Sequence, residues 1–166
     1  MLPSFQGGFG AISGSSGGPA WTAIGPTEPS PGMLWWWNPI RDGNSGKFNA
    51  VAVNPKNPKI MYVAAGVGHG CEAVSDAGIF KTTDGGTTWR PIDNGLTDTY
   101  VNDLWIDPQK PNRLLAATEV SGLFYSYTGG ASWVPVLTPV TAIALASTAN
   151  GTIYAATSAG LYSSVS

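Results

Sequence analysis

The chain has 166 residues and a formal net charge of -2, with 8 Lys and Arg against 10 Asp and Glu. Charged residues make up only 11% of the sequence, and no two basic residues are adjacent. Nucleic-acid binding needs clustered Lys and Arg to neutralise phosphates, so nucleic acid is excluded as a partner. Hydrophobic residues reach 43%, enough for a core, but the apolar runs are too short to predict a membrane-spanning helix.

The beginning of the chain and its cysteine content give two further expectations. The single cysteine, Cys71, excludes an internal disulfide. The segment Met1–Gly8 has neither a basic n-region nor an apolar h-region, so no signal peptide is predicted. The sequence therefore indicates a cytosolic protein or a piece of a longer one, and the internal repeats favour the second reading.

One pattern of Gly, Gly-Gly and Trp recurs along the chain at fixed offsets. Trp89 and Trp133 are 44 residues apart, and Gly122 and Gly160 are 38 apart. Repeats of about 40 to 45 residues with β-type composition are typical of the four-stranded blades of a β-propeller. The four copies are Gly10–Trp21, Gly78–Trp89, Gly122–Trp133 and the shorter Gly160–Ser166.

Each repeat is predicted to contain four short antiparallel strands, named a to d. In the first full repeat these are Phe48–Val53, Ile60–Ala65, Gly78–Thr82 and Thr88–Ile92, separated by Asn-Pro and Gly-Gly turns. We align Val101–Ile106 and Val140–Leu145 with strand a, and Leu114–Ala117 and Ile153–Ala156 with Tyr62–Ala65 of strand b. The prediction is a single propeller region over residues 1–166, with outer strands of a blade at 9–24, blade one at 48–92, blade two at 101–136 and an incomplete blade three at 140–166.

The hairpin Thr82–Trp89 fits the pattern Ser/Thr-x-Asp-x-Gly-x-x-Trp and resembles the Asp-box (BNR) repeat of β-propellers. An Asp carboxylate there accepts backbone N–H groups of the turn, Gly supplies a positive φ, and Trp packs against a neighbouring blade. Weaker copies have Thr128 or Ser16 in place of Asp. The resemblance implies a structural role, away from the functional site, for Thr82, Asp84, Gly86, Trp89, Ser126, Gly130 and Trp133.

The phrases Trp21–Pro26 and Ser45–Pro55 resemble the opening of large bacterial propellers of the sortilin-like and photosystem-assembly-factor-like group. That resemblance implies a secreted or periplasmic protein. The strands sum to about three blades, whereas closed propellers have four to eight, or ten in the sortilin-like relatives. We therefore expect an incomplete or excerpted propeller, or an arc that pairs with another chain and has bare strand edges.

Two long loops are predicted on the face of the propeller where strands d connect to a and strands b to c. They are Gly25–Lys47 and Gly66–Ala77, and long loops are where binding residues concentrate. The Trp cluster either stacks on a sugar ring or a protein side chain, or covers the rim of blade one or a neighbouring blade. The binding candidates are Trp35, Trp36, Trp37, Arg41, Asp42, His69 and Glu72.

Neither a metal site nor a catalytic cysteine is predicted. His69, Cys71 and Glu72 are zinc-ligand types, but the chain has no other His or Cys to complete a site. Adjacent loop residues rarely orient each other as a nucleophile and base, so a solvated loop is the expectation. No cofactor is expected.

Glycoside hydrolysis needs two carboxylates about 5 to 10 Å apart across a cleft. Candidates on the loop face are Asp42, Glu72, Asp76, Asp98 and Glu119, and their spacing singles out no pair. Sialidases, which share the Asp box, need an arginine triad, and Arg41 alone is predicted on the face. Asp103 and Asp107 are predicted to cap the Pro turn. The sequence thus favours a non-enzymatic scaffold that binds a protein or glycan; the alternative is a fragment of a glycoside hydrolase, sialidase-like or related, with catalytic residues mostly outside the chain.

Overall fold

The computed structural model describes residues 48–65 and 78–165, where all the regular structure is β. The first sheet has the order β1-β2-β3-β4, and each strand pairs antiparallel with the next in sequence. Its strands are β1 (Phe48–Val53), β2 (Met61–Ala65), β3 (Gly78–Thr82) and β4 (Arg90–Pro91). We call this sheet blade one.

Two further sheets repeat the same up-and-down arrangement. Blade two contains β5 (Val101–Ile106), β6 (Leu114–Thr118), β7 (Gly122–Ser126) and β8 (Val134–Leu137). Blade three contains β9 (Ala142–Ser147), β10 (Thr152–Thr157) and β11 (Gly160–Val165), in the order β11-β10-β9. The prediction of an all-β chain built from antiparallel propeller blades is confirmed. Residues 9–24, predicted to be outer strands of a blade, lie outside the described residues.

The a to b turns form because an acceptor side chain follows the first strand of blades one and two. Asn54 Oδ1 accepts the backbone N–H groups of Lys56 and Asn57. Asp107 Oδ1 accepts those of Gln109 and Lys110, at 2.8 and 3.0 Å. These side chains replace backbone partners that the turn removes. The predicted role of Asp107 in the Pro turn matches these bonds.

The first strands of the three blades lie side by side, with β5 between β1 and β9. In both blade one and blade two, the asparagine at the second position of strand a donates a hydrogen bond to the next blade. Asn49 Nδ2 donates to the Val101 carbonyl, and Asn102 Nδ2 donates to the Ala142 carbonyl, both at 3.0 Å. Strand β6 is buried on both faces, as expected for a strand covered by blades on either side.

Asp103 does not cap the Pro turn, so that prediction was wrong. Its Oδ1 accepts the N–H of Leu104 at 2.8 Å, and its Oδ2 accepts the N–H of Leu145 at 2.7 Å. The carboxylate lies at an irregularity in the pairing of β5 with β6, which turns it toward blade three. Asp103 therefore joins strand a of blade two to strand a of blade three.

Three alignments within the repeat were also wrong. Met61 pairs with Thr82 as Leu114 pairs with Ser126, so Leu114 corresponds to Met61 and not to Tyr62. Ala65 pairs with Gly78 as Thr157 pairs with Gly160, so Ile153 also corresponds to Met61. Ala142 pairs with Thr157 as Val101 pairs with Thr118, so Val101 corresponds to Ala142 and not to Val140. In strand b the shift is one residue, which reverses both faces of the strand because side chains alternate, whereas in strand a it is two residues. Only the hydrogen-bonded partners fix the register.

The outer faces of the first and third blades expose apolar side chains. Val51 of β1 is 64% exposed, and Ile143 of β9 and Leu161 of β11 are 56% and 73% exposed. In the middle blade, Leu104 of β5, the counterpart of Val51, is buried. Within the described part of the chain, no helix has the length and apolar character needed to cross a membrane.

Candidate functional site

Asp98 joins the two loops of blade two that lie on the predicted functional face. It is 8% exposed and lies between β4 and β5, in the d to a connection. Its Oδ1 accepts the N–H of Tyr100, and its Oδ2 accepts the N–H groups of Val120 and Ser121 at 2.7 and 3.1 Å. The N–H of Glu119 adds a bond to the Tyr100 carbonyl. The b to c turn is thus fixed to the preceding loop.

Those bonds decide what Asp98 can do chemically. A general acid needs a protonated oxygen, and a nucleophile or base needs a lone pair directed at substrate. Both oxygens of Asp98 instead accept backbone N–H groups of the two loops. Among the carboxylates predicted from sequence, Asp98 therefore has a structural role, since it joins two loops. Glu119, in the neighbouring turn, is half-buried.

A further acidic residue, Asp93, follows β4 of blade one and lies on the same face. Asp93 Oδ1 accepts the N–H of Ile79 at 2.7 Å, and its carboxyl occupies the space where a Cβ on Gly78 would lie. Burial raises the pKa of Asp93, while the Ile79 N–H bond opposes the rise. The sequence does not distinguish Asp93 as a site residue, because nothing local marks a residue between a strand and a loop as the cap of a neighbouring strand.

The other predicted site residues of the face lie outside the described residues. They are Trp35, Trp36, Trp37, Arg41, Asp42, His69, Cys71, Glu72 and Asp76. Arg90 is in β4, and Arg113 precedes β6, where its Nη1 lies 3.9 Å from Asp107 Oδ2. Across residues 48–65 and 78–165, no group of three His, Cys, Asp or Glu side chains could hold a metal ion.

The Thr82–Trp89 hairpin is held by a local hydrogen-bond network around Asp84. Asp84 Oδ1 accepts the N–H of Thr88 and the hydroxyl of Thr82, and Oδ2 accepts the hydroxyl of Thr88. These bonds hold the pKa of Asp84 far below its usual range, with the Thr88 hydroxyl as the largest cause. Gly85 and Gly86 have φ of +78° and +94°, values that a glycine adopts without strain.

Blade two builds the same turn with hydroxyls in place of the carboxylate. Thr128 Oγ1 accepts the N–H of Ser132 at 3.0 Å, and Ser126 Oγ accepts the N–H of Gly130 at 3.0 Å. Each c to d turn also bonds to the a to b turn of its own blade, through Gly85 to Lys59 and Gly129 to Asn112. The hairpins therefore lie at the end of each blade opposite the Asp98 loops.

The two hairpins give a reciprocal test of the predicted structural role of Asp84. Asp84→Ala is expected to lower the Tm by a few degrees at pH 7 without changing any ligand affinity of the folded protein, because the carboxylate bonds only within the turn. Thr128→Asp is expected to raise the Tm, since it introduces a charged acceptor at the matching position.

The pH dependence of these variants follows from the sign of the shift. A carboxylate whose pKa is depressed by folding stabilises the protein above the ordinary Asp pKa of about 3.9, and that contribution is lost as the pH falls below it. Melting curves from pH 7 to pH 2 should show the wild type and Asp84→Ala converging on acidification. A constant difference, or lost binding with an unchanged Tm at pH 7, would contradict the assignment.

The hairpin of blade two also docks onto blade one. Trp133 is 3% exposed, its Nε1 donates to the Ile92 carbonyl at 2.7 Å, and its backbone N–H donates to the Asn94 carbonyl. Lys81 Nζ donates to the Gly129 carbonyl at 2.9 Å and lies 5.3 Å from the centre of the Tyr62 ring. Burial lowers the pKa of Lys81. A hairpin aromatic thus joins these two blades through both packing and hydrogen bonds.

No protein-family model matches the chain. Over 97 residues it is 32% identical to a xyloglucanase of Hypocrea jecorina (strain QM6a), a match that covers 57% of this chain and 10% of that protein. The chain thus spans about a tenth of the length of this curated relative.

Solved structures with similar folds include two kinds of protein. A GH74 enzyme of Niastella koreensis gives a TM-score of 0.58 with 21% identity, covering 71% of this chain and 20% of that chain. YCF48 from Cyanidioschyzon merolae gives a TM-score of 0.51 with 16% identity, covering 72% and 34%. A YCF48 structure with a bound D1 peptide gives 0.50 with 19% identity, covering 71% and 37%. Both kinds are β-propellers, so these likenesses support the propeller fold.

Proposed function

We propose that this propeller segment belongs to a non-enzymatic scaffold that binds a protein or glycan through the loop face containing Asp98. The observation that carries the proposal is the bonding of Asp98. Its two oxygens accept three backbone N–H groups and hold the loops together. Fixed loops on a rigid sheet are a suitable frame for binding, because less ordering entropy is lost when the ligand arrives.

The binding residues proposed on this frame come from the two long loops of blade one. Trp35, Trp36 and Trp37, with Arg41 and Asp42, offer a large aromatic surface next to charged groups. His69 and Glu72 offer polar groups on a glycine-rich loop, which is costly to order. Interface Trp and Arg residues commonly dominate binding energy. The Trp cluster is therefore proposed as the principal contact.

The likenesses support a binding scaffold without deciding its ligand. The structure of YCF48 with D1 peptide is of a propeller that holds a peptide. The Asp-box assignment of the hairpins, proposed from sequence, agrees with their position at the other end of the blades, where they stabilise the frame.

A peptide and glycan array that includes xyloglucan oligosaccharides tests the proposal on the purified chain. We expect the Trp35/Trp36/Trp37→Ala variant to lose affinity by roughly 30-fold or more, since truncating an interface Trp costs about 2 kcal/mol. The His69/Cys71→Ala variant should lose much less. Trp89→Ala is the matched control, because Trp89 lies in the hairpin at the opposite end. Binding that survives the triple change but is lost with His69/Cys71→Ala would show that the wrong loop was chosen.

A glycoside hydrolase acting on xyloglucan-like glucans is the second candidate. It is favoured by the 32% identity with a xyloglucanase and by the half-buried Glu119 beside the Asp98 loops. Because the catalytic residues of this candidate lie mostly outside the chain, the test uses a longer protein that contains it. Release of reducing ends from xyloglucan by that longer protein would favour the hydrolase, whereas binding of xyloglucan without hydrolysis would favour the scaffold.

A further inference from the structure

The a to b turns of blades one and two contain most of the positive charge in the described part of the chain. Six of the eight Lys and Arg lie in residues 48–65 and 78–165, and four of these six are in the two turns: Lys56, Lys59, Lys110 and Arg113. On the loop face, by contrast, the charged side chains among the described residues are acidic: Asp93, Asp98 and Glu119. Charge is thus segregated between the two ends of these blades.

Both turns present their cations on the same rigid framework. Each has the form x-Pro-x-x-Pro, over residues 54–58 and 107–111, and proline restricts the backbone. The side chain before the first Pro accepts two backbone N–H groups of its turn. A further backbone bond closes each turn, from Ile60 to Asn57 at 2.9 Å and from Arg113 to Lys110 at 2.8 Å. The cations therefore lie on a surface that is already ordered before a partner arrives.

Three lysines of the two turns form one continuous group. Lys56 Nζ of blade one donates to the carbonyl of Gln109 in the blade-two turn, and Lys110 is the next residue. Lys59 and Lys110 are exposed, and within the described residues their ammonium groups have no hydrogen-bond or ion-pair partner. We call Lys56, Lys59 and Lys110 the turn-face patch.

The carboxylates at this end of the blades are bonded to other groups. Asp107 is 6% exposed, accepts the amides of its own turn and lies 3.9 Å from Arg113 Nη1. The oxygens of Asp84 accept bonds from Thr82 and Thr88 in its hairpin. Neither carboxylate bonds to a lysine of the turn-face patch, so these ammonium groups can pair with an incoming anion.

We propose that the turn-face patch binds an acidic peptide segment of a partner protein, whose Asp or Glu side chains pair with Lys56, Lys59 and Lys110. Alternate side chains of an extended segment lie on one side, about 6.6 Å apart, and the flexible stems of lysines can follow such a row. Recognition of anionic lipid uses clusters of about four to eight basic residues, more than the patch contains, and nucleic acid is excluded by composition. A peptide is therefore the partner that the patch fits.

This surface lies at the end of the blades opposite the Asp98 loops, because the a to b turns bond to the c to d hairpins through Gly85 and Gly129. The inference is therefore independent of the proposed function. Single exposed ion pairs are weak, so binding requires several pairs at once and should depend strongly on salt.

Fluorescence anisotropy of a labelled peptide of about ten residues, with Glu at alternate positions, tests the proposal on the purified chain. Lys59→Gln/Lys110→Gln should lower the affinity at least fivefold while leaving the melting curve unchanged, since both side chains are exposed and Lys56 keeps its bond between the turns. Lys47→Gln/Arg90→Gln is the matched control, because it changes the net charge equally outside the patch, and it should lower affinity less than twofold. The same peptide with Gln in place of Glu should not bind.

Three results would overturn the proposal. Equal losses in the two double variants would mean that net charge alone attracts the peptide. Equal binding of the Glu and Gln peptides would mean that carboxylates are not recognised. Binding to vesicles containing phosphatidylserine that the Lys59→Gln/Lys110→Gln variant loses, with no binding of the Glu peptide by any form, would assign the patch to a membrane surface instead.

Carbodiimide cross-linking locates the bound peptide by a separate measurement. The reagent joins a carboxylate to a neighbouring lysine amine, and mass spectrometry of the digested product identifies that lysine. We expect amide links from the Glu peptide to Lys59 and Lys110, at least fivefold more abundant than links to Lys47. Links distributed equally over these lysines would show that the peptide does not bind at the turn-face patch.

Discussion

Replacing Trp133 with alanine is expected to lower the free energy of unfolding by about 3–5 kcal/mol, the usual cost of removing a buried aromatic side chain. Trp133 is 3% exposed and belongs to the cluster shared by blades one and two. The change also leaves the Ile92 carbonyl without its indole donor. Since whole domains are stable by only about 5–15 kcal/mol, this loss is a large fraction of the total stability.

Urea unfolding followed by circular dichroism measures this loss. Trp89→Ala is the matched control, because Trp89 occupies the same hairpin position in blade one but is only half-buried and donates to Gly86 of its own turn. It should cost clearly less. Trp133→Phe separates the hydrogen bond from the packing and should fall between the two. Equal losses for Trp89→Ala and Trp133→Ala would mean that position in the hairpin, and not burial between blades, sets the cost.

Gly122→Ala is expected to have an effect of similar size for a different reason. Gly122 begins β7 with φ of +90°, which an alanine adopts at a cost of about 1–2 kcal/mol. An added Cβ would also overlap the backbone carbonyl of Leu137 in β8, and over-packing of this kind costs about 1–3 kcal/mol more. Backbone cannot move aside as a flexible side chain can, so the strand pair β7-β8 must shift.

Gly85→Ala isolates the conformational part of that cost. Gly85 also has a positive φ, +78°, but an added Cβ there meets nothing within 4 Å. It should destabilise by about 1–2 kcal/mol only. Chemical denaturation of the two variants in parallel measures the difference. If Gly122→Ala costs no more than Gly85→Ala, the overlap with Leu137 does not exist in solution.

The face that contains Asp98 depends on this same region of blade two. The hydroxyl of Thr118 donates to the Gly122 carbonyl at 2.9 Å, and the turn between them contains Glu119 and the amides that bond to Asp98. A shift of β7 in Gly122→Ala would therefore move the loop face as well as lower stability. Binding measured on the residual folded protein would show this as a loss of affinity that Gly85→Ala does not share.

Local sequence determined much of the fold of this protein. Strands Phe48–Val53 and Gly78–Thr82 have the predicted bounds, because β-branched and aromatic residues end there at turn-forming Asn-Pro and Gly-Gly pairs. The network around Asp84 was also predictable, since all of its bonds lie within four residues. Of the candidate site, the sequence supplied the two long loops and a set of carboxylates, but not which carboxylates were already engaged.

Tertiary structure alone decided the contacts between repeats. Asp98 bonds to residues 22 and 23 positions away, and Asp103 to a residue 42 positions away, so no local pattern distinguishes them from carboxylates free to meet a ligand. The equivalence of Met61 and Leu114 could not be predicted either, because repeats rich in small apolar residues align almost as well after a shift of one residue. Sequence periodicity specifies a blade; only the pairing of backbones and the packing of one blade on the next specify which side chains meet.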